Sequence, residues 1–553
     1  MLTSWSATTY GQTIITANTN NNPRSIPKVG YNSNALTMPS INNQSFVDSV
    51  RKLEVPVFRY PGGTNSQYWD WQNGKSLPPS AWVNNGGTLQ NYAYIGTTPM
   101  VPLPLAEFKR FIDSLGAKPL YVLNVLSRNL SDQMNMLRAA QNIGLEVELV
   151  ELGNEMYFQD ADFITRFPTA GAYAREMNIW TDSIKAQFPN SKIAVIGTTE
   201  MPTMQNGNPM PARIRYWNDS IFTFYNYNDA ITLHNYFRHN NTAQTPNATQ
   251  VLSSAFSEWQ IGKQYSVDSI NNGMDIWFTE YNMNDDLDNY RVATSWLHGL
   301  FSSLIHLQLL ENSKIGMIIN HQITGAAPFA SLASYTSFGD TLSNRHTAEG
   351  NAMRILHKTY KNMDFADKLT FSNNPAIAFK SFNYPSLIGW TFFNSNKKNI
   401  IVLNVSNSAF TFNASTFTNG SFDYETITSN NITQTNVTTS NLLISKGIAT
   451  NINIPAYSLT LLEENLLPSI NQTQPNNALF NIYPNPVNTS VTIELKENFP
   501  SEIYIFNLQG QSILKKHISE NITLLDINNL PSGIYFIQTR QKNIITTRKL
   551  IKN

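Results

Sequence analysis

Cysteine is absent from the 553 residues, which excludes disulfides, thiolate metal sites and cysteine nucleophiles together. Charge is scarce as well: charged residues make up 14%, and 38 Lys and Arg balance 38 Asp and Glu. That balance leaves no basic footprint for nucleic acid and no acidic tail. No apolar run reaches the roughly 18–20 residues of a membrane-spanning helix, so no transmembrane segment is expected. Met1–Tyr10 lacks the charged and apolar regions of a signal peptide, and any export signal is expected to lie outside this sequence. The 8 histidines are scattered without the paired helical spacing of a zinc site, and Pro61-Gly62-Gly63 lacks the later Gly and the Lys of a phosphate loop. No metal and no cofactor are expected.

Aromatic residues, by contrast, reach 12%, with 10 Trp and 24 Tyr. They suit stacking on sugar rings, although a large core accounts for them more simply. Asn richness explains the many Asn-x-Ser/Thr triplets, such as Asn404-Val405-Ser406 and Asn521-Ile522-Thr523, without glycosylation. The length calls for two or three domains, since even a large α/β barrel takes about 250–400 residues.

Up to residue 363 the chain alternates strand-like runs with amphipathic segments. Eight strands are predicted, ending near Gly30, Tyr60, Val125, Glu155, Gly197, Tyr236, Asn282 and Asn320. Between them, segments such as Leu105–Gly116, Leu130–Gly144, Ala172–Phe188, Val251–Asn271, Val292–Glu311 and Thr347–Met363 carry helical periodicity. Eight such units make a (β/α)8 barrel over residues 26–363, preceded by an N-terminal segment, residues 1–25, placed to add a strand to a later sheet. From 364 to 464 the helical period gives way to short runs such as Ile400-Ile401-Val402-Leu403, which predicts a β-sandwich. Residues 465–478, rich in Asn, Gln and Pro, read as a linker, and 479–553 as a small all-β module.

Two apolar runs end on glutamates, Val150-Glu151-Leu152-Gly153-Asn154-Glu155 and Ile276-Trp277-Phe278-Thr279-Glu280. Functional groups of such barrels sit at the carboxyl ends of strands, and two carboxyls facing each other there are the equipment of glycosidic-bond cleavage. An amide beside an acid, as in Asn154-Glu155, can bond the sugar 2-hydroxyl. At the second strand end Arg59 could hold a nucleophilic carboxylate ionised, and the sixth offers His234 and Tyr236 to the same mouth. Trp69, Trp71, Tyr157 and Phe158 supply aromatic surface for a pocket or an open cleft.

The set Arg59-Tyr60-Pro61-Gly62-Gly63 with Trp69-Asp70-Trp71, Leu152-Gly153-Asn154-Glu155-Met156, Leu233-His234-Asn235-Tyr236 and Thr279-Glu280-Tyr281-Asn282 resembles the clan A retaining glycoside hydrolases, and within them the family 51 α-L-arabinofuranosidases. The resemblance runs from about Lys28 to Leu462. It implies Glu155 as acid/base, Glu280 as nucleophile, Asn154 on the 2-hydroxyl, Arg59 near the nucleophile, and His234 and Tyr236 lining the subsite; Trp69 and Tyr281 are expected beside them as substrate-binding residues for a polysaccharide or oligosaccharide. Where that family usually shows Asp-Glu-Trp-Asn, this chain has Thr279-Glu280-Tyr281-Asn282. Arabinose therefore leads a set that includes β-glucuronidase, β-xylosidase and endo-acting galactan hydrolase activities, with a non-catalytic surface glycan-binding protein as the rival from another class.

Tyr483-Pro484-Asn485-Pro486, Ile505-Phe506-Asn507-Leu508-Gln509-Gly510, Leu530-Pro531-Ser532-Gly533-Ile534-Tyr535 and the basic end Arg548-Lys549-Leu550-Ile551-Lys552 are similar to the type A sorting domain of the type IX secretion system of Bacteroidetes. That resemblance implies the secretion machinery as a partner, export across the outer membrane, and removal of the module at the surface.

Overall fold

The computed structural model describes the chain apart from residues 1–12, 34, 36–37, 79–99, 200–210, 240–244, 271–272, 285–290, 326–329, 334–342, 419, 466–479, 497–500, 508–511 and 542–543. It divides into two compact units, Met1–Leu467 and Pro468–Asn553.

In the first unit eight parallel strands close a barrel: β1 (Lys28–Asn32), β2 (Val57–Tyr60), β3 (Lys118–Val122), β4 (Leu149–Glu151), β5 (Lys192–Ile196), β6 (Ala230–Arg238), β7 (Asp275–Asn284) and β8 (Ile315–Asn320). Seven of them, β2 to β8, contribute Val57, Leu120, Leu149, Ala194, Ala230, Trp277, Met317 and Ile319 to a separate apolar cluster, the packed interior expected of eight strands. The largest departure from the expected strand ends is at β4, which stops at Glu151 rather than Glu155. The predicted helices form with recognisable ends. Leu105–Leu115 closes on Gly116 in the left-handed region at φ 66, and Ala348–Tyr360 opens where the Thr347 side chain accepts from the Gly350 amide.

Two sheets enclose a second core. The smaller pairs Thr13–Ile15 with Phe410–Asn413 and Asn451–Ile454; the larger has eight strands. The N-terminal segment joins both, because Ala17–Thr19 pairs with Phe365–Phe371 of the larger sheet. In the strand Lys398–Asn404, Ile400 and Val402 enter the inter-sheet core, whereas Ile401 and Leu403 enter the main cluster of the barrel. A strand covered on both faces reads as an unbroken apolar run, which is why Ile400–Leu403 shows no alternation. The expected linker lies outside the described residues except for Asn465.

The second unit is all β: a sheet of Phe480–Tyr483, Ser490–Leu495 and Ile522–Asp526, and a sheet of Ser512–Ile518, Ser501–Phe506, Gly533–Gln541 and Ile544–Lys552. Phe480, Val491, Ile505, Ile537 and Leu550 are among its buried core. Its motif residues Leu508-Gln509-Gly510 lie outside the described residues. Among the described residues no helix is long and apolar enough to cross a membrane.

Candidate active site

Side-chain alternation along β2 decides what reaches the barrel mouth. Phe58 and Tyr60 point outward, onto Phe111 and Phe108 of the helix Leu105–Leu115, with ring centroids 5.0 and 4.0 Å apart. Arg59 points inward and is fully buried. Its Nε and Nη2 donate to Glu151 Oε2 at 2.9 and 2.7 Å, Nη2 also to Asn154 Oδ1 at 2.9 Å, and Nη1 to Glu280 Oε1 at 2.7 Å.

Beyond β4 the chain turns sharply. Gly153 sits at φ 101, where a Cβ would lie 2.6 Å from Val125 Cγ2. Glu155 follows at φ 47, an uncommon conformation for a residue with a side chain and one that marks functional sites. Its Oε1 accepts from the Tyr157 hydroxyl at 3.0 Å and lies 3.0 Å from His234 Nδ1, while Oε2 accepts from Asn154 Nδ2 at 3.3 Å.

Between β6 and β7 the register shifts: Leu233 faces Phe278 but His234 faces Glu280, so Thr279 is an extra residue. Such a bulge re-aims side chains. Thr279 and Glu280, though adjacent, both reach the mouth, with Thr279 Oγ1 3.1 Å from His234 Nε2. Tyr281 is thrown outward, its hydroxyl 2.8 Å from His306 Nδ1 in the helix layer. Glu280 Oε1 accepts from Arg59 and, at 3.2 Å, from Asn32 Nδ2; Oε2 accepts from the Tyr236 hydroxyl at 2.5 Å and lies 3.5 Å from His321 Nδ1. Asn32 also meets His321 Nδ1 at 2.8 Å. Gly62, at φ 75, makes room for this pair, since a Cβ there would fall 1.7 Å from Asn32 Oδ1.

One oxygen of Glu155, one of Glu280 and a nitrogen of His234 all lie within 4.8 Å of one another. That trio has the donor set and spacing of a small cation site, but Glu280 already carries the Arg59 cation and two neutral donors, Asn32 and Tyr236.

The two carboxyls differ in setting. Burial works to raise the Glu280 carboxyl, yet His234, His321, Arg59 and the Tyr236 hydrogen bond hold it well below the usual carboxylate range. Burial opposes a charged His234, but the Glu280 and Glu155 carboxylates raise it above its ordinary value. Burial, with Glu280 and Glu155 nearby, pushes Tyr236 well up, so its phenol stays a donor. The Glu155 side chain is 15% exposed against 5% for Glu280, so one acid faces water and the other is shut in.

Of the residues named from the sequence, Arg59, Asn154, Glu155, His234, Tyr236 and Glu280 converge. Trp69 and Tyr281 do not: Trp69 Nε1 donates to the outward Tyr60 hydroxyl at 3.0 Å, and Tyr281 is buried among helices. Asn32, Glu151, Thr279 and His321 join the site without having been named for it, and Tyr157, named for aromatic surface, joins it through its hydroxyl. Asn32 and His321 stand at or just past the carboxyl ends of β1 and β8, and a polar residue at that position is the signal that points to them.

Residues 481–553 match the secretion system C-terminal sorting domain family, which marks this chain as a type IX secreted or cell-surface protein. Over 277 residues the chain is 22% identical to the intracellular exo-α-(1→5)-L-arabinofuranosidase of Acetivibrio thermocellus, a match covering 45% of this chain and 51% of that protein. The chain thus spans about half the length of that curated relative. The family 51 α-L-arabinofuranosidase of Thermotoga petrophila superposes with a TM-score of 0.59 at 15% identity, covering 81% of this chain and 99% of that one. A 4-O-α-L-rhamnosyl-β-D-glucuronidase of Fusarium oxysporum superposes with a TM-score of 0.52 at 14% identity, covering 82% and 100%. The fold is that of arabinofuranosidase-like glycoside hydrolases.

Proposed function

We propose that this protein is a secreted retaining glycoside hydrolase in which Glu155 is the acid/base and Glu280 the nucleophile, with α-L-arabinofuranosides of plant or algal polysaccharide as the first substrates to test. The carrying observation is the approach of Glu155, Glu280 and His234 atoms to within 4.8 Å at the barrel mouth. Retention asks for carboxyls about 5–5.5 Å apart, whereas inversion needs about 6.5–9.5 Å to admit a water. The electrostatics support the same division of labour: a buried carboxylate held ionised suits attack, and a partly exposed one beside His234 and Tyr157 suits exchange of protons with water.

In the first step Glu280 forms a bond to the anomeric carbon as the glycosidic bond breaks, and the Glu155 proton passes to the leaving oxygen. Glu155 then takes a proton from water as the water oxygen bonds the anomeric carbon and the ester bond to Glu280 breaks, which frees the sugar with its configuration kept and returns Glu280 to a carboxylate. Asn154 Nδ2 stands beside Glu155 Oε2, consistent with a donor to the 2-hydroxyl. We assign residues 26–363 to catalysis and 479–553 to sorting. The test is hydrolysis of a panel of 4-nitrophenyl glycosides and polysaccharides, with NMR of the first-formed anomer. Release of the α-L-arabinofuranoside with retention supports the reading. Inversion, or binding without turnover on every substrate, would sink it.

A further inference from the structure

Arg59 is enclosed by carboxylates from two strands, and water reaches none of the three groups freely: Arg59 and Glu151 are 0% exposed and Glu280 4%. Glu151 Oε2 takes two of the guanidinium's hydrogen bonds, at 2.9 and 2.7 Å, and Glu280 Oε1 one, at 2.7 Å. The other oxygen of Glu151, Oε1, is buried with no hydrogen-bond partner among the described residues. A buried anion with an empty face is unfavourable unless its charge is needed. One carboxylate would already neutralise Arg59, so the second calls for a reason.

We propose that Glu151 is a positioning residue for the reaction: the permanent counter-ion of Arg59, which keeps the guanidinium compensated while Glu280 gives up its charge. The inference rests on Glu280 as nucleophile. When a lone pair of Glu280 forms the bond to the anomeric carbon, the bond to the leaving oxygen breaks, that oxygen takes the Glu155 proton, and the carboxylate becomes a neutral ester. The buried trio then passes from one positive and two negative charges to one of each. With glutamine at 151 the same step would run from a balanced pair to an unpaired buried cation, beside a sugar whose anomeric centre is gaining positive charge. Glu151 therefore favours the transition state through charge, in addition to orienting the guanidinium.

A double-mutant cycle on the full chain tests this, with E280Q imitating the neutral ester. Each single variant leaves Arg59 one carboxylate, and the double variant leaves none. The melting temperature of E151Q/E280Q is expected to fall at least about 5 °C below the sum of the two single effects. Additive effects would overturn the proposal. On the best aryl glycoside of the panel, E151Q is expected to lower kcat about 10- to 100-fold with KM within about twofold. An unchanged kcat, or a loss confined to KM, would also overturn it. Should E151Q alone fail to fold, E151D, which keeps the counter-charge, is expected to fold and to keep kcat within about tenfold of the parent; a larger loss counts against the proposal. Turnover by E280Q would remove the nucleophile assignment, an outcome separable from the thermal cycle.

Discussion

The Tyr236 hydroxyl donates to Glu280 Oε2 at 2.5 Å, on the carboxylate oxygen opposite the one that Arg59 Nη1 holds at 2.7 Å. The carboxylate is therefore clamped from two sides, by a cation on one and a neutral donor on the other. For the nucleophile proposed above, such a clamp acts on the chemical step more than on ground-state binding. Tyr236→Phe is expected to lower kcat by about 10- to 100-fold with KM changed by no more than about threefold. Steady-state kinetics on an aryl glycoside decide it, and a rise in KM with kcat intact would assign Tyr236 to binding instead.

Glu280→Ala is expected to lose about four orders of magnitude or more in kcat, with partial recovery in azide, which fits the space left by the carboxylate and yields a glycosyl azide. Glu155→Ala should behave differently, sparing substrates whose leaving groups need no proton and losing most on poor ones. The measurement is a leaving-group series on both variants. Equal losses across the series, without azide products, would leave neither glutamate in its assigned role.

How far the chain could be read in advance differs from element to element. The barrel was legible because each strand is a short apolar run followed by helical periodicity, and strand-end glutamates stand out against so few charges. The end of β4 was not, since Glu151-Leu152-Gly153-Asn154-Glu155 continues a strand on paper, whereas Gly153 at φ 101 and Glu155 at φ 47 turn the backbone away. Tyr281 was misjudged for a related reason: with the bulge at Thr279, alternation sends the next side chain after Glu280 outward. Trp69 was named from the run Trp69-Asp70-Trp71 after the second strand end, and its Tyr60 contact follows from a loop fold that no local pattern announces. Asn32 and His321 meet across 289 positions of sequence, a separation only barrel closure can join.

Deletion of residues 481–553, the span matching the sorting domain, is expected to leave the protein inside the producing cell while preserving glycosidase activity in lysates. The active-site residues all belong to the unit Met1–Leu467, so chemistry and export should separate. Immunoblots of culture supernatant, surface and cell fractions provide the check. Export of the truncated chain at the full-length level would show that the module is dispensable for it.

Glu349 offers a pH-dependent test of the barrel that leaves Glu155 and Glu280 untouched. It lies in the first turn of the helix Ala348–Tyr360 and is 0% exposed; Asn320 Nδ2 donates to its Oε1 at 2.7 Å and the Ser331 hydroxyl to its Oε2. Burial pushes its carboxyl up to about 7, against an ordinary 4.5. Below 4.5 both folded and unfolded chains hold the proton and the group is neutral to stability. As pH rises from there to 7 the unfolded chain releases it while the folded chain keeps it, so stability falls, by about 3 kcal/mol in all. Glutamine carries no charge to bury; its carbonyl still accepts from Asn320 Nδ2, and its amide can donate to the Ser331 hydroxyl oxygen in the reverse sense. Glu349→Gln should therefore melt several degrees above the parent at pH 8, with the gap closing towards pH 4.5. Thermal unfolding at the two pH values decides it, and a gap that is the same at both would mean that Glu349 does not take up its proton on folding.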